Sequence, residues 1–360
     1  MSRKLMYFTA GPAELYPRFE EYLQEFVDEQ LGSISHRSGQ FKKIYQHTDE
    51  QLRALLNIPE ENAIMFTGSA SEIWEKSIQS LVEFESFHLV NGSFSEKYYQ
   101  YSQALGRQAD ALNKPMGEGF SYGEITVPEY AELICVTQNE TSTGVQTREA
   151  DIHKLKRSHR NKLMAVDMVS SAPIPELDFS LIDSAFFSVQ KSFGLPAGLG
   201  VWIANEKCLK KAKQLKSKGN SLGAHHDLPT LWKNAKNYQN PATPNVMGIF
   251  LLGKVAEDMN KTGLEAIRKQ TDEKAKMIYK FFEKKDGYEV FVKNPDHRSK
   301  TVAVINTERP SSEIINHLKT KNMIVGAGYG PGKDSQIRVS NFIANTPEQI
   351  EALLNEIEKF

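Results

Sequence analysis

The sequence predicts an α/β protein, with a large domain on a mainly parallel mixed sheet and a smaller α+β domain. Three observations carry this reading. Short apolar runs alternate with segments of helical periodicity up to about residue 244. Beyond that point the texture changes to two long helical patterns followed by short strands and helices. The length, 360 residues, also exceeds what one small core usually absorbs.

Phe19, Tyr22, Leu23 and Phe26 recur at helical spacing, as do Ile44, Tyr45, Thr48, Leu52 and Leu55. Residues 63–66 read as a buried strand that stops at Thr67 and Gly68. A helix follows, with Ile73, Trp74, Ile78, Leu81 and Val82 on one face. Further apolar runs at 87–90, 133–136, 163–166, 185–189 and 201–204 alternate with helical or polar stretches, the pattern of a sheet wrapped by helices. The basic cluster 207–218 reads as a solvated helix face and a loop. Met247, Leu251, Val255 and Met259 mark a long helix that leads into another over 263–284. A strand at 289–292, a strand at 301–305, a helix at 314–318, a strand at 336–339 and a helix at 347–357 complete the small domain. A cleft between the two domains is the natural ligand site.

Composition excludes several functions. Lysine and arginine total 44 against 45 acids, so at a net charge of -1 no basic field draws the chain onto nucleic acid. The longest apolar runs, such as 133–136, are a few residues, whereas a membrane span needs about 20. Residues 1–13 carry the basic pair Arg3 and Lys4, but Pro12 and Glu14 interrupt any signal-peptide core, so the expected location is cytoplasmic. The two cysteines, Cys135 and Cys208, form neither a disulfide framework nor a Cys-x-x-Cys site, which fits a reducing compartment. The sequons at Asn91 and Asn139 have no meaning without secretion. Gly328-Tyr329-Gly330-Pro331-Gly332-Lys333 resembles a phosphate-binding Walker loop, but Ala327 and Asp334 replace the required Gly and Ser/Thr. No Gly-x-Ser-x-Gly elbow occurs, and His225-His226 lacks the spacing of paired metal ligands on one helix face, so no metal is expected.

One constellation remains. Asp167 and Lys191 each sit where an apolar strand runs out, at the same carboxyl edge of a parallel sheet. An amine that forms a Schiff base and a carboxylate that keeps a ring nitrogen protonated are what pyridoxal 5'-phosphate needs. Spacing alone fits equally well a helix-capping Asp167 and a surface Lys191. Phe66-Thr67-Gly68-Ser69-Ala70-Ser71 joins strand to helix through small residues, a start that binds phosphate or is simply capped by Ser69 or Ser71.

Ordered motifs along nearly the whole chain add to this pair. They are Phe8 to Ala13 (Phe-Thr-Ala-Gly-Pro-Ala), Ser35-His36-Arg37-Ser38, Asn91-Gly92-Ser93-Phe94, and Asn139 to Val145 (Asn-Glu-Thr-Ser-Thr-Gly-Val). Asp167 with Gln190-Lys191, Asn240 to Pro244 (Asn-Pro-Ala-Thr-Pro), and Ile337-Arg338-Val339-Ser340 complete the set. On these the chain resembles the class V, fold-type I aminotransferases dependent on pyridoxal 5'-phosphate, and within them most closely those that make phosphoserine. The resemblance implies a large cofactor-binding domain over 12–244 and a small domain over 1–11 and 245–360 that includes a connecting long helix.

By that similarity Lys191 is the Schiff-base lysine and proton shuttle, Asp167 pairs with the pyridinium nitrogen, and Thr141 bonds the ring hydroxyl. Phe94 stacks on the ring. Ala70 and Ser71 offer amides to the cofactor phosphate with Gln190 beside them, and Asn240 and Thr243 reach it from the other subunit of a homodimer. Arg338 clamps the substrate α-carboxylate in a bidentate fork. His36 and Arg37 recognise the distal anion. The implied reaction transfers the amino group of L-glutamate to a phosphorylated oxo acid, 3-phosphohydroxypyruvate, in L-serine biosynthesis. The sequence departs from the pattern where Ser71 replaces an arginine, and where Pro331-Gly332-Lys333 replaces a His-Arg pair, with Lys333 restoring some charge. Those departures keep open an alanine or serine transaminase using glyoxylate or pyruvate. A cysteine desulfurase would need a mobile reactive cysteine, which neither Cys135 in an apolar run nor Cys208 on a helix supplies. A protein that had kept only the fold would have lost Lys191 or Asp167, and both are present.

Overall fold

The structure, a computed structural model, describes residues 5–360, so Arg3, Lys4 and the first four residues of the 1–11 segment lie outside the described residues. After β1 (Met6–Phe8), helices α1 (Phe19–Asp28) and α2 (Gly39–Leu56) precede β2 (Ala63–Thr67) and α3 (Ala70–Leu81). β3 (Glu85–Val90), α4 (Ser93–Ala104), β4 (Gln108–Asn113) and β5 (Leu133–Thr137) follow. A hairpin, β6 (Asn139–Glu140) and β7 (Val145–Gln146), leads through α5 (Glu149–Ser158) to β8 (Leu163–Asp167), β9 (Ser184–Ser188) and β10 (Gly200–Ala204).

These strands build a seven-stranded sheet in the order β2-β10-β9-β8-β5-β3-β4. β9, β8, β5, β3 and β4 pair in parallel, whereas β10 runs antiparallel to both β9 and β2. The reason is the connection: residues 189–199 hold no helix, and a parallel return needs a longer crossover. β4, absent from the sequence reading, is an edge strand of Gln-Ala-Asp-Ala-Leu-Asn with exposed or half-buried residues, so no apolar run betrays it. The parallel strands deliver Thr137, Asp167 and Ser188 to one edge, since Thr137 pairs with Asp167 and Asp167 with Phe186 in the ladder.

The chain continues through α6 (Glu206–Ser217), α7 (Leu228–Ala235), α8 (Val246–Thr262) and α9 (Leu264–Phe282). A second sheet then forms from β11 (Tyr288–Val290), β12 (Val302–Thr307), β13 (Met323–Ala327) and β14 (Gln336–Ser340), with α10 (Ser311–Thr320) and α11 (Pro347–Glu358) against it. Its order is β1-β13-β14-β12-β11. β1 and β13 are both missing from the sequence reading. One has three residues, and the other ends in Gly326 and Ala327, which carry no strand signature.

Buried apolar residues fall mainly into two clusters. The larger surrounds the seven-stranded sheet, with Ile64, Phe66, Ile134, Val166, Phe186 and Trp202 among its members. Phe8, Ile305, Ile314, Val339 and Leu353 belong to the smaller. Ile249, Leu252, Val255 and Met259 of α8 lie in the larger cluster, so the hand-over comes later than the change of texture at 244. It falls inside α9, whose Ile267 packs in the larger cluster and whose Ile278 and Phe282 pack in the smaller.

Candidate active site

The strand edge opens into a cavity of about 120 Å³ lined by Ala70, Ser71, Phe94, Thr141, Asp167, Gln190 and Lys191. Seven of the residues implied by the resemblance therefore share one space. Trp74, Thr137, Asn139 and Ser188 complete much of the wall.

The turn after β2 is shaped by capping. Ser69 Oγ accepts the Glu72 N–H at 3.2 Å, and the Ala70 N–H donates to Ser188 Oγ at 2.9 Å. The Ala70 amide is thus already engaged by the neighbouring strand. Gly200 pairs with both Thr67 and Ser188, and a Cβ there would lie 2.5 Å from the Ser69 carbonyl carbon, so only glycine admits the turn this close.

Asp167 is 2 % exposed and its carboxylate is held at both oxygens, by the Trp74 indole N–H at 2.8 Å and the Val169 N–H at 2.9 Å. Burial pushes its pKa up to about 7 against those two donors. A cation placed next to this carboxylate would relieve the burial penalty and ionise it. Lys191 donates to the Ala10 carbonyl at 2.7 Å. Burial, with Arg338 nearby, pulls its pKa down to about 8, while Asp167 acts the other way. Gly11, at φ +122°, leaves room for the ammonium, since a side chain there would overlap Lys191.

Phe94 enters the cavity from the first turn of α4. That turn is fixed by a fully buried carboxylate, Glu140, which accepts from the Phe94 N–H at 3.2 Å, the Ser95 N–H at 2.8 Å and the Ser142 hydroxyl at 2.6 Å. Thr141, next in sequence, donates to Ser170 Oγ at 2.7 Å. Arg338 comes from β14 of the second sheet, and its Nε donates to the Ala327 carbonyl at 2.9 Å while its guanidinium lies 5.4 Å from the Tyr329 ring centre. Tyr329 in turn packs against Phe94 with ring centres 5.1 Å apart and accepts from Lys97 Nζ at 2.7 Å.

The remaining implied residues lie outside the cavity wall. Arg37 donates to the carbonyls of Asn240 and Pro241, each at 2.9 Å, so the His36–Arg37 segment and the Asn240 turn form one cluster on the same chain. Thr243 and Lys333 are exposed. Sequence reasoning missed Trp74, Glu140 and Tyr329 as site residues. Trp74 read only as an apolar helix position, Glu140 only as a motif letter, and Tyr329 only as part of the failed Walker loop.

Residues 123–353 match the family described as aminotransferase class-V, and this span carries Thr141, Asp167, Lys191 and Arg338. The chain belongs to the class-V aminotransferases. It is accordingly a pyridoxal phosphate-dependent transaminase, with the cofactor implied by its family. It is 26% identical over 358 residues to the phosphoserine aminotransferase of Nocardioides sp., covering 98% of this chain and 94% of that one. The crystal structure of a phosphoserine aminotransferase, SerC, from Cytophaga hutchinsonii matches with a TM-score of 0.97 at 45% identity, over 99% of this chain and 98% of that one. An aspartate aminotransferase of subgroup IV from Thermus thermophilus, at 21% identity, has the same fold with a TM-score of 0.85 over 98% of each chain.

The cavity of this transaminase fits its family's cofactor on its own chemistry. Thr137 Oγ1 is buried in the wall without a hydrogen-bond partner among the described residues, and the wall carries one buried carboxylate and one buried amine.

Proposed function

We propose that this transaminase moves the amino group of L-glutamate to 3-phosphohydroxypyruvate, yielding phosphoserine and 2-oxoglutarate on a route to L-serine. The observation that carries the chemistry is the convergence of Asp167, Lys191 and Phe94 on one cavity. Support for the acceptor comes from the 45% identical Cytophaga hutchinsonii protein. When bound, pyridoxal phosphate supplies a carbonyl that an amine can engage and a ring that withdraws electrons from the substrate α-carbon. Lys191 holds or releases a proton at Nζ near neutral pH, because burial has brought its pKa to about 8. Asp167, fixed by Trp74 and Val169, would offer its carboxylate to a cationic ring nitrogen. Phe94 and Thr141 would flank the ring, and Ser71 and Gln190 the phosphate. Arg338, at the rim beside Thr141, would fork the α-carboxylate.

The Arg37–Asn240 cluster supports a homodimer. His36, Arg37, Asn240 and Thr243 do not line their own chain's cavity, and in this reading they complete the site of a second copy. Cys135 and Cys208 are free and buried, in keeping with a reducing, cytoplasmic setting.

A second reading has its own observation. Ser71, which lines the cavity, adds no charge to it, so an alanine or serine transaminase working on pyruvate or glyoxylate would fit the wall. An acceptor panel with glutamate as donor separates the two. Preference for 3-phosphohydroxypyruvate is expected, and outright preference for pyruvate would replace the first reading with the second.

A further inference from the structure

His225-His226 fails as a metal motif by spacing, yet the fold brings it a third donor. Glu72, in the first turn of α3, meets both rings: one carboxylate oxygen and one nitrogen of each imidazole lie within 4.8 Å of one another. His226 has φ 53°, a left-handed conformation that swings consecutive side chains to one side instead of opposite sides. The ring centres are 3.8 Å apart in consequence.

His226 already shares a short contact with Glu72. Its Nδ1 pairs with Glu72 Oε1, while Nε2 is buried without a partner among the described residues of a side chain only 8% exposed. That nitrogen faces away from Glu72, so an ion shared with the carboxylate would instead take the place of the proton between Nδ1 and Oε1. His225 is exposed and gives an ion access from solvent. Glu72 is itself held in place, since its other oxygen accepts the Gly68 N–H at 2.8 Å.

We propose that Glu72, His225 and His226 form a transition-metal site of zinc type that ties the loop before α7 to the first turn of α3. Two imidazoles and one carboxylate suit zinc, with water in the fourth position, and do not suit the all-oxygen shells of magnesium or calcium. Bonds of about 2.1 Å require donors roughly 3.4 Å apart, so the Glu72–His226 pair, now 2.5 Å apart, must open while the exposed His225 moves in. Glu72 follows Ser71 directly, so the ion would stiffen the turn that lines the cofactor cavity.

Tag-free holoenzyme, stripped with chelator and desalted, tests this by calorimetric titration with zinc and by cobalt substitution read through visible d–d bands. One ion per chain is expected, with magnesium and calcium showing no competition. His225→Ala and Glu72→Gln should each weaken binding by at least about tenfold with the cofactor spectrum unchanged. His225 is exposed, so its removal leaves the fold intact. Absence of binding overturns the proposal, as does an ion held equally by His225→Ala. Loss of the ion only together with the cofactor would trace it to the cofactor's own donors and overturn the proposal equally.

Discussion

Trp74 donates its indole N–H to Asp167 at 2.8 Å across 93 residues of sequence, joining the helix that starts at the cavity to the carboxylate at its floor. Trp74→Phe keeps an aromatic ring and removes this donor. The expected result is a roughly tenfold fall in kcat with little change in KM, and a loss of about 1–3 kcal/mol of stability from leaving the buried oxygen short of a partner. Steady-state kinetics and denaturant unfolding read both, and wild-type values in each would show that Trp74 only fills space.

Asp167 also makes a pH prediction for the cofactor-free protein. Its native pKa, about 7, lies above the unfolded value, so its protonated form is preferred in the folded state. The native protein therefore carries no penalty from this group at low pH and an increasing one as pH rises from about 4 through 7, up to ~4 kcal/mol. Asp167→Asn should stabilise the apoprotein at pH 8 and hardly at all at pH 4, while transamination falls steeply. A stability difference independent of pH would show that the carboxylate is already ionised at little cost.

Burial shifts the Lys191 pKa the other way, downward. With its pKa drawn down to about 8, its free-amine fraction grows through the neutral range, well below the usual lysine value. Cofactor capture by the apoprotein should accelerate with pH and level off above about 8, and Lys191→Ala should abolish transamination. Capture that kept accelerating to pH 10 would mean an exposed, ordinary lysine. Gly11→Ala probes the same amine sterically: it forces a side chain into Lys191 at a positive φ, and should cost cofactor affinity as well as about 1–3 kcal/mol of stability.

Substrate selection separates two arginines. In the proposed site Arg338 would take the α-carboxylate common to every substrate, so Arg338→Ala should damage all acceptors alike, by about 2–5 kcal/mol in kcat/KM. Arg37→Ala should penalise 3-phosphohydroxypyruvate more than pyruvate, because only the former offers a distal anion. Equal losses on both acceptors in Arg37→Ala would remove Arg37 from substrate recognition.

Legibility in the sequence followed local signal strength. Strands β2, β3, β5, β8, β9 and β10 announce themselves as apolar runs, and Asp167 and Lys191 stand out because charge ends such runs. β1, β4 and β13 do not, because their pairing with β13, β3 and β14 supplies what their own residues lack. Trp74 and Glu140 were invisible for a related reason. A side chain that serves a distant partner keeps its own local appearance, apolar helix face in one case and polar loop in the other. The division of the cores moved into α9 because periodicity reports that α8 is amphipathic without reporting which core its face meets.

β1 belongs to the smaller core through Phe8, and two residues later the Ala10 carbonyl receives the Lys191 ammonium. The N-terminal segment is therefore a short tether between the second sheet and the reactive amine. A shift of that sheet would reach Lys191 through this strap as well as through Arg338 on β14. A change at Phe8 is then mechanically close to Lys191, although Phe8 itself packs in the smaller core.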